Sequence, residues 1–382
     1  MNLDKSIDFL RDKAGAVIQY LLRKEILCDL TSAEEEDYLE RIYGTPFFKL
    51  VQSYAKPNGY IGSGMHSWDN WRGVVLHETP LQDGETAARL LSYYAVPKAH
   101  PLVAGFVAAM RDEAVLREEF SYIPPEIPRF ENRFIGLNSG NCLMGLAYTM
   151  QAMLGYGDDY ADLRAFQETA LEGFRRLLPL SSLEDCTKTR PNSKAKYNYP
   201  YIEAEDYFPN AYTLAMLAYT QSWRTAENVR LMADALNHIN RIMKHDNNMH
   251  IRIDGRYYAP SGALCRPLRA FRTNLIDSIL YRRPLTEMAM LGVGRAAAVV
   301  HESAENVVDA LREDGVLRMD WKTPHNKGYS PKKLMYPTAY CDVKLEEDKS
   351  ATAVECDLTF WAVQFLSLVD GTEGKHEAHC AV

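Results

Sequence analysis

No CxxC pair, GxSxG elbow, P-loop or post-strand GxGxxG turn occurs anywhere in the 382 residues. These absences argue against serine hydrolases, NTPases and dinucleotide-binding enzymes. Long apolar runs are missing as well. None reaches the roughly 18 residues of a membrane span, so no membrane span is expected. The N-terminal stretch "MNLDKSIDFLRDKAGAVIQYLLRKEIL" is an amphipathic helix pattern broken by charges. It has neither the apolar core nor the small-residue cleavage site of a signal peptide. The seven cysteines are scattered and odd in number. Such usage favours reduced thiols and a cytoplasmic location over a disulfide framework. Cys380 is third from the end, so the tail is not a prenylation box. Excess positive charge is lacking too: the net charge of −8 argues against nucleic acid as the main partner.

Strand signals are equally scarce, with one short hairpin expected in "NMHIRIDGRYYAP" (248–260) about Asp254-Gly255. Helix signals fill the rest and fall into two kinds. The first kind is amphipathic. In "TAENVRLMADALNHINRIM", Val229, Met232, Leu236, Ile239 and Met243 form one apolar stripe behind a Thr225 N-cap. "YADLRAFQETALEGFRRLL" carries a similar stripe through Leu163, Phe166, Ala170, Phe174 and Leu177, and "SAENVVDALREDG" opens on Ser303 as a cap and closes at Gly315. The second kind is apolar on almost every side: 141–157, 210–220, 286–300 and 358–369, with the more polar "GETAARLLSYYAV" (84–96) as a further member. A helix apolar all round must be buried all round.

Buried helices alternating with striped ones predict an all-α fold, specifically an α/α toroid with inner helices 141–155, 210–220, 286–299 and 358–369. A single domain over 1–382 is expected, with 1–55 as a helical lead-in and 371–382 as a mobile tail. The polar stretch 181–200 reads as a surface loop, too short to mark a boundary.

The segment "HETPLQDGETAARLLSYYAVPKAHPLVAGFVAAM" (77–110) resembles a helical repeat of the prenyltransferase/squalene-cyclase superfamily. The likeness lies in a helix, a connector (Val96-Pro97, His100-Pro101, Leu102-Val103) and a second helix, and in pattern it spans residues 56–370. It implies an α/α toroid acting on an isoprenoid-like substrate. The acid motif DxDD of class II cyclases is absent, which departs from protonation-initiated cyclisation. Glu355-Cys356-Asp357 offers two carboxylates and a thiol for zinc only if a distant histidine folds in. No cofactor is expected. Glu203 through Tyr207-Phe208 is also similar to the acid segment of linalool dehydratase-isomerase enzymes. Ile202 and Asn210 stand where those enzymes have cysteines, so thiol-dependent chemistry is not implied.

The candidate chemistry centres on "YIEAEDYFPNAYTLAMLAYT" (201–220), where Glu203, Glu205 and Asp206 sit among aromatic rings ahead of an apolar helix. Carboxylates crowded together and partly desolvated gain proton affinity, as a general acid needs. The plainer reading makes Asp206 a charge at the N-terminus of a helix starting near Phe208. The loop 64–78 gathers His66, Trp68, Asp69, Trp71 and Arg72. His66 and Asp69 suit an acid–base pair; Trp68, Trp71, Tyr207 and Phe208 suit a prenyl chain, a carbocation or a sugar face. Spacing of three sets Arg266, Arg269 and Arg272 along one helical face able to clamp an anion, or else simply solvated. "DDYAD" (158–162) matches DDxxD but reads better as the charged start of an outer helix, and no second metal motif accompanies it. The expected function is therefore an enzyme on a small, largely apolar substrate, using acid–base or carbocation chemistry. The rivals are a carbohydrate-active α/α-barrel hydrolase or lyase and a non-catalytic binding toroid.

Overall fold

The computed structural model of the chain describes residues 3–65, 83–119, 143–190, 199–206, 208–253, 255–258, 262–274, 276–320, 345–346 and 350–371. It is mostly helical, as the sequence predicts. Seven helices come first: α1 (Asp4–Lys13), α2 (Ala16–Leu21), α3 (Ser32–Tyr43), α4 (Pro46–Ser53), α5 (Gly84–Tyr93), α6 (Pro101–Met110) and α7 (Glu113–Glu119). Four more follow, α8 (Leu143–Gln151), α9 (Ala161–Arg175), α10 (Ala211–Ala218) and α11 (Ala226–Ile242). The last three are α12 (Ile276–Met290), α13 (Ala298–Ala310) and α14 (Ala351–Gly371). The strands are β1 (Tyr201–Glu203), β2 (His250–Ile253) and β3 (Arg256–Tyr258).

The chain divides into two compact units: Met1–Glu119, Ala270–Gly294 and Val300–Val382 make the first, and Phe120–Arg269 with Arg295–Val299 the second. In the first unit α14 lies against α1, α2 and α12. It buries Val354, Leu358, Phe360, Trp361, Val363 and Phe365, residues from several faces of one helix. Such a helix has no polar side to show water, which is why it sits inside its unit. Local signals start the neighbouring helices. Thr31 and Glu34 close a capping box on α3, and Thr45 caps α4 ahead of Pro46. Asp83 caps α5 by accepting the Thr86 N–H at 2.7 Å. His100 caps α6 through Nδ1, which accepts the Leu102 N–H at 3.2 Å. Helix, connector and helix over 84–110 thus form as the pattern implies.

In the second unit α10 packs on α8 and α9, and α9 on α11. Every residue of α10 from Tyr212 to Ala218 is buried, whereas α11 buries Met232, Ala233, Leu236 and Ile239 and shows its charged side to solvent. The free carbonyls at the end of α10 are taken up by side chains. Trp223 Nε1 donates to Leu217 at 2.8 Å, and Arg224 donates to Thr220 and Ala218 at 2.9 Å each. The expected hairpin is present: β2 and β3 run antiparallel about Gly255, and β1 joins β2 in parallel.

Three expectations about local structure need correction. The helix expected over 286–299 stops at Met290, because Gly292 and Gly294 take φ of +78° and +51° and turn the chain. Ser303 is not a cap: it lies inside α13, buried, with its Oγ accepting the Phe271 N–H at 3.0 Å. DDYAD does open α9 with an acid in its first turn, Asp162, while the carboxylate of Asp158 receives the N–H groups of Gln221 and Ser222 at 2.9 Å each. No helix carries Arg266, Arg269 and Arg272, since among the described residues of 262–274 the chain is irregular and Pro267 interrupts any helix there. The tail after Gly371 lies outside the described residues.

Candidate functional site

The acid segment of the sequence lies on the small sheet. Parallel pairing sets Glu203 opposite Arg252, and a bridge sets Lys188 beside Tyr201. One carboxylate oxygen of Glu203 therefore accepts from Lys188 Nζ at 3.1 Å and from Arg252 Nη1 at 3.2 Å. Asp206 folds back to accept the Glu203 N–H at 3.1 Å, closing a tight turn over Ala204–Asp206. Glu205 is exposed, and its backbone carbonyl accepts from Arg176 at 3.1 Å. Phe208 is buried. Helix α10 begins only at Ala211: Asn210 Oδ1 accepts the N–H groups of Tyr212 and Thr213 at 2.8 Å each. That carboxamide does the capping once assigned to Asp206, which lies too far upstream. Burial first, and then the Asp206 charge, push the nearby Cys186 thiol up to about 11, so it is no nucleophile at neutral pH.

Around this turn the sheet carries a cluster of rings. Tyr201 meets Tyr257 edge-on at 5.1 Å, and His250 meets Tyr199 at 5.2 Å. Arg190 lies 4.3 Å over Tyr257. Tyr199 is an exposed aromatic ring, at 39% exposure. Arg266 and Arg269 are exposed, and Arg269 pairs with Asp246 at 3.4 Å. Glu355 pairs with Arg318 at 2.8 Å, and Asp357 accepts the N–H groups of Leu345 and Glu346. Burial, followed by the Glu346 and Asp357 charges, pushes Cys356 up to about 12. Among the described residues no group of His, Cys, Asp and Glu is arranged to hold a metal ion.

His66, Trp68, Asp69, Trp71, Arg72 and Tyr207 lie outside the described residues. Among the residues flanking 66–82, Gly84 N–H donates to Gly64 at 2.9 Å and Glu85 N–H to Met65 at 2.8 Å, so Gly64 and Met65 lie at the first turn of α5.

That turn leads to a cluster the sequence reading passed over. Glu85 is 0% exposed, Arg89 1% and Glu287 1%. Arg89 grips Glu85 Oε1 through Nε at 3.0 Å and Nη2 at 2.9 Å. Its Nη1 reaches Glu287 at 3.5 Å, and Arg283 Nε meets the same Glu287 oxygen at 3.6 Å. A chain of alternating charges thus runs Glu85–Arg89–Glu287–Arg283 from α5 to α12. Beside it Arg282 lies 5.6 Å from the Trp361 ring. That indole stacks on Phe365 at 5.4 Å and tilts against Phe271 at 4.9 Å. Taking two carboxylates and their partners out of water costs several kcal/mol per ion, and the attraction offsets this only partly. Replacing such a buried ion cluster by well-packed apolar residues is often neutral or stabilising. Two signals in the sequence pointed here: Glu and Arg four apart in "GETAARLL", and one lone acid in "LTEMAMLGV".

The chain matches no family model, no curated protein and no solved structure.

Proposed function

We propose that the protein is an enzyme of the prenyltransferase/terpenoid-cyclase type, an α/α toroid acting on a small, largely apolar substrate by acid–base chemistry. The carrying observation is the complete burial of Glu85, Arg89 and Glu287, the last beside the Thr286 hydroxyl that holds Trp361. A carboxylate in such surroundings meets its substrate with little competing water, and charge interactions are several-fold stronger there than at the surface. Glu287 is the preferred proton-transfer group, because it is buried in the helical turn whose Thr286 holds the Trp361 indole. Arg89 and Arg283 orient its carboxylate, and Glu85 in turn fixes Arg89. The aromatic wall suits an aliphatic body or a developing cation.

A second reading, a carbohydrate-active barrel, draws on the sheet surface, where Glu203 stands near the exposed ring of Tyr199 and the Tyr201–Tyr257 pair. Untargeted metabolite profiling with and without the protein finds the substrate. Glu287→Gln and Glu203→Gln then separate the two readings. Loss of turnover in Glu287→Gln alone supports the first; loss in Glu203→Gln alone supports the second. Unchanged turnover in both rejects both sites.

A further inference from the structure

Outside the charge cluster, the glycine-rich turn "KPNGYIGSG" (56–64) holds a buried acid of its own. Glu119 ends α7 and is only 6% exposed. A carboxylate withdrawn from water persists only when paired and hydrogen-bonded. Lys56 Nζ pairs with one of its oxygens, and the Gly64 N–H donates to the other at 3.3 Å. The turn is packed closely against its neighbours. Gly59 takes φ of +85°, and a Cβ there would meet the Gly105 carbonyl of α6 at 2.7 Å. A Cβ on Gly84 would meet the Tyr60 hydroxyl at 2.6 Å, and that hydroxyl donates to the Gly64 carbonyl at 2.9 Å.

From Gly64 the contacts run on to the buried charges. The Gly64 carbonyl also accepts the Gly84 N–H, and the Met65 carbonyl accepts the Glu85 N–H. Glu85 holds Arg89 through two donors, and Arg89 approaches Glu287 at 3.5 Å. Gly64, Met65, Glu85, Arg89 and Glu287 are all buried. The links are peptide bonds, hydrogen bonds and ion pairs, so a displacement at Glu119 has a continuous route to Glu287.

We propose that Glu119 is a positioning residue: through Gly64 and Met65 it sets where the first turn of α5 lies, and so where Arg89 meets the Glu287 carboxylate. The inference rests on the reading of the α5–α12 cluster as the reaction centre and adds to it a residue that touches neither substrate nor Glu287. Lys56 offsets the Glu119 charge, and the Gly64 contact carries the positioning. Misplacing a reacting group by about 1 Å costs on the order of 100-fold in rate. Small displacements at this end of the chain therefore reach turnover.

Carbon-13 labelling of the glutamate carboxyl groups in the full chain reads the effect without any substrate. The Glu85 and Glu287 resonances are assigned by their loss in Glu85→Gln and Glu287→Gln. Glu119→Ala removes the acceptor for Gly64 and should shift both resonances. Glu119→Gln keeps an acceptor oxygen and should leave them near their wild-type positions. Thr31→Ala, which removes the cap of α3 in the same unit, is the control for lost stability alone and should move neither. Circular dichroism matches the folded fraction of the variants. Should Glu119→Ala not fold, Tyr60→Phe, which removes one hold on the Gly64 carbonyl, carries the same expectation. With the substrate found in profiling, Glu119→Ala should lower kcat roughly tenfold with KM within about twofold, and Glu119→Gln should recover most of the loss. Unmoved resonances in the folded variant, or shifts as large in Glu119→Gln or Thr31→Ala, would overturn the proposal. Moved resonances with turnover indifferent to Glu287→Gln would keep the positioning chain and reject the acid–base reading. Unmoved resonances with turnover dependent on Glu287 would do the reverse.

Discussion

Replacing Arg89 by methionine is the sharpest probe of the buried charge chain. The side chain keeps an unbranched apolar stem and loses its guanidinium. Two contacts to Glu85, at 2.9 and 3.0 Å, disappear together with the 3.5 Å approach to Glu287. Both carboxylates are essentially unexposed, so water cannot replace the lost partner. Breaking one partner out of a buried pair costs about 3–5 kcal/mol, because an uncompensated charge stays behind. Arg283 remains within 3.6 Å of Glu287, and Glu85 gives up two contacts against one for Glu287. Adding Glu85→Gln to Arg89→Met should recover part of the loss, with a coupling of about 1–3 kcal/mol between the two sites. Urea unfolding followed by circular dichroism at pH 7 gives the midpoint and slope of each variant. A loss below about 1 kcal/mol with an unchanged slope, or strict additivity of the two substitutions, would refute the assignment of a tightly coupled buried pair.

Two further perturbations test the elements that frame the units. Arg224→Met removes the charged donor from the Thr220 and Ala218 carbonyls; a cost of about 1.5–3 kcal/mol is expected in equilibrium unfolding. Burial holds the His100 pKa below its ordinary value, so the unfolded chain takes up the proton first. The stability that neutral His100 contributes is complete above the unfolded pKa of about 6.5 and is lost as pH falls through the lower folded value. Protonation also takes away the Nδ1 acceptor that caps α6. His100→Asn, which retains a capping oxygen, should flatten that part of the stability–pH curve, and an unchanged curve would count against the cap.

How far the chain could be read in advance depended on what kind of signal each segment carries. Periodicity was legible: the stripe of α11, the hairpin about Gly255 and the all-round burial of α10 follow from residue pattern alone. Boundaries were harder where a side chain competes for backbone groups. Asn210 takes the N–H groups of α10 that Asp206 was expected to serve, and Gly292 stops a helix whose apolar content would have carried it on. The acid segment was visible, but not its partners. Glu203 meets Lys188 and Arg252 through sheet pairing over long separations, which no local pattern encodes. Glu85, Arg89 and Glu287 were overlooked for a related reason. Their meaning emerges only when α5 and α12 bring them together.

The claim that the α5–α12 cluster is the catalytic centre is tested most directly by turnover of the substrate found in profiling, compared between Glu287→Gln and Glu203→Gln at matched folded fraction. Glu287→Gln should lower kcat by about 100-fold or more, the usual contribution of a positioned acid or base, with Glu203→Gln staying within about twofold, as a surface ion pair allows. Full activity in Glu287→Gln, or a collapse confined to Glu203→Gln, would contradict the account.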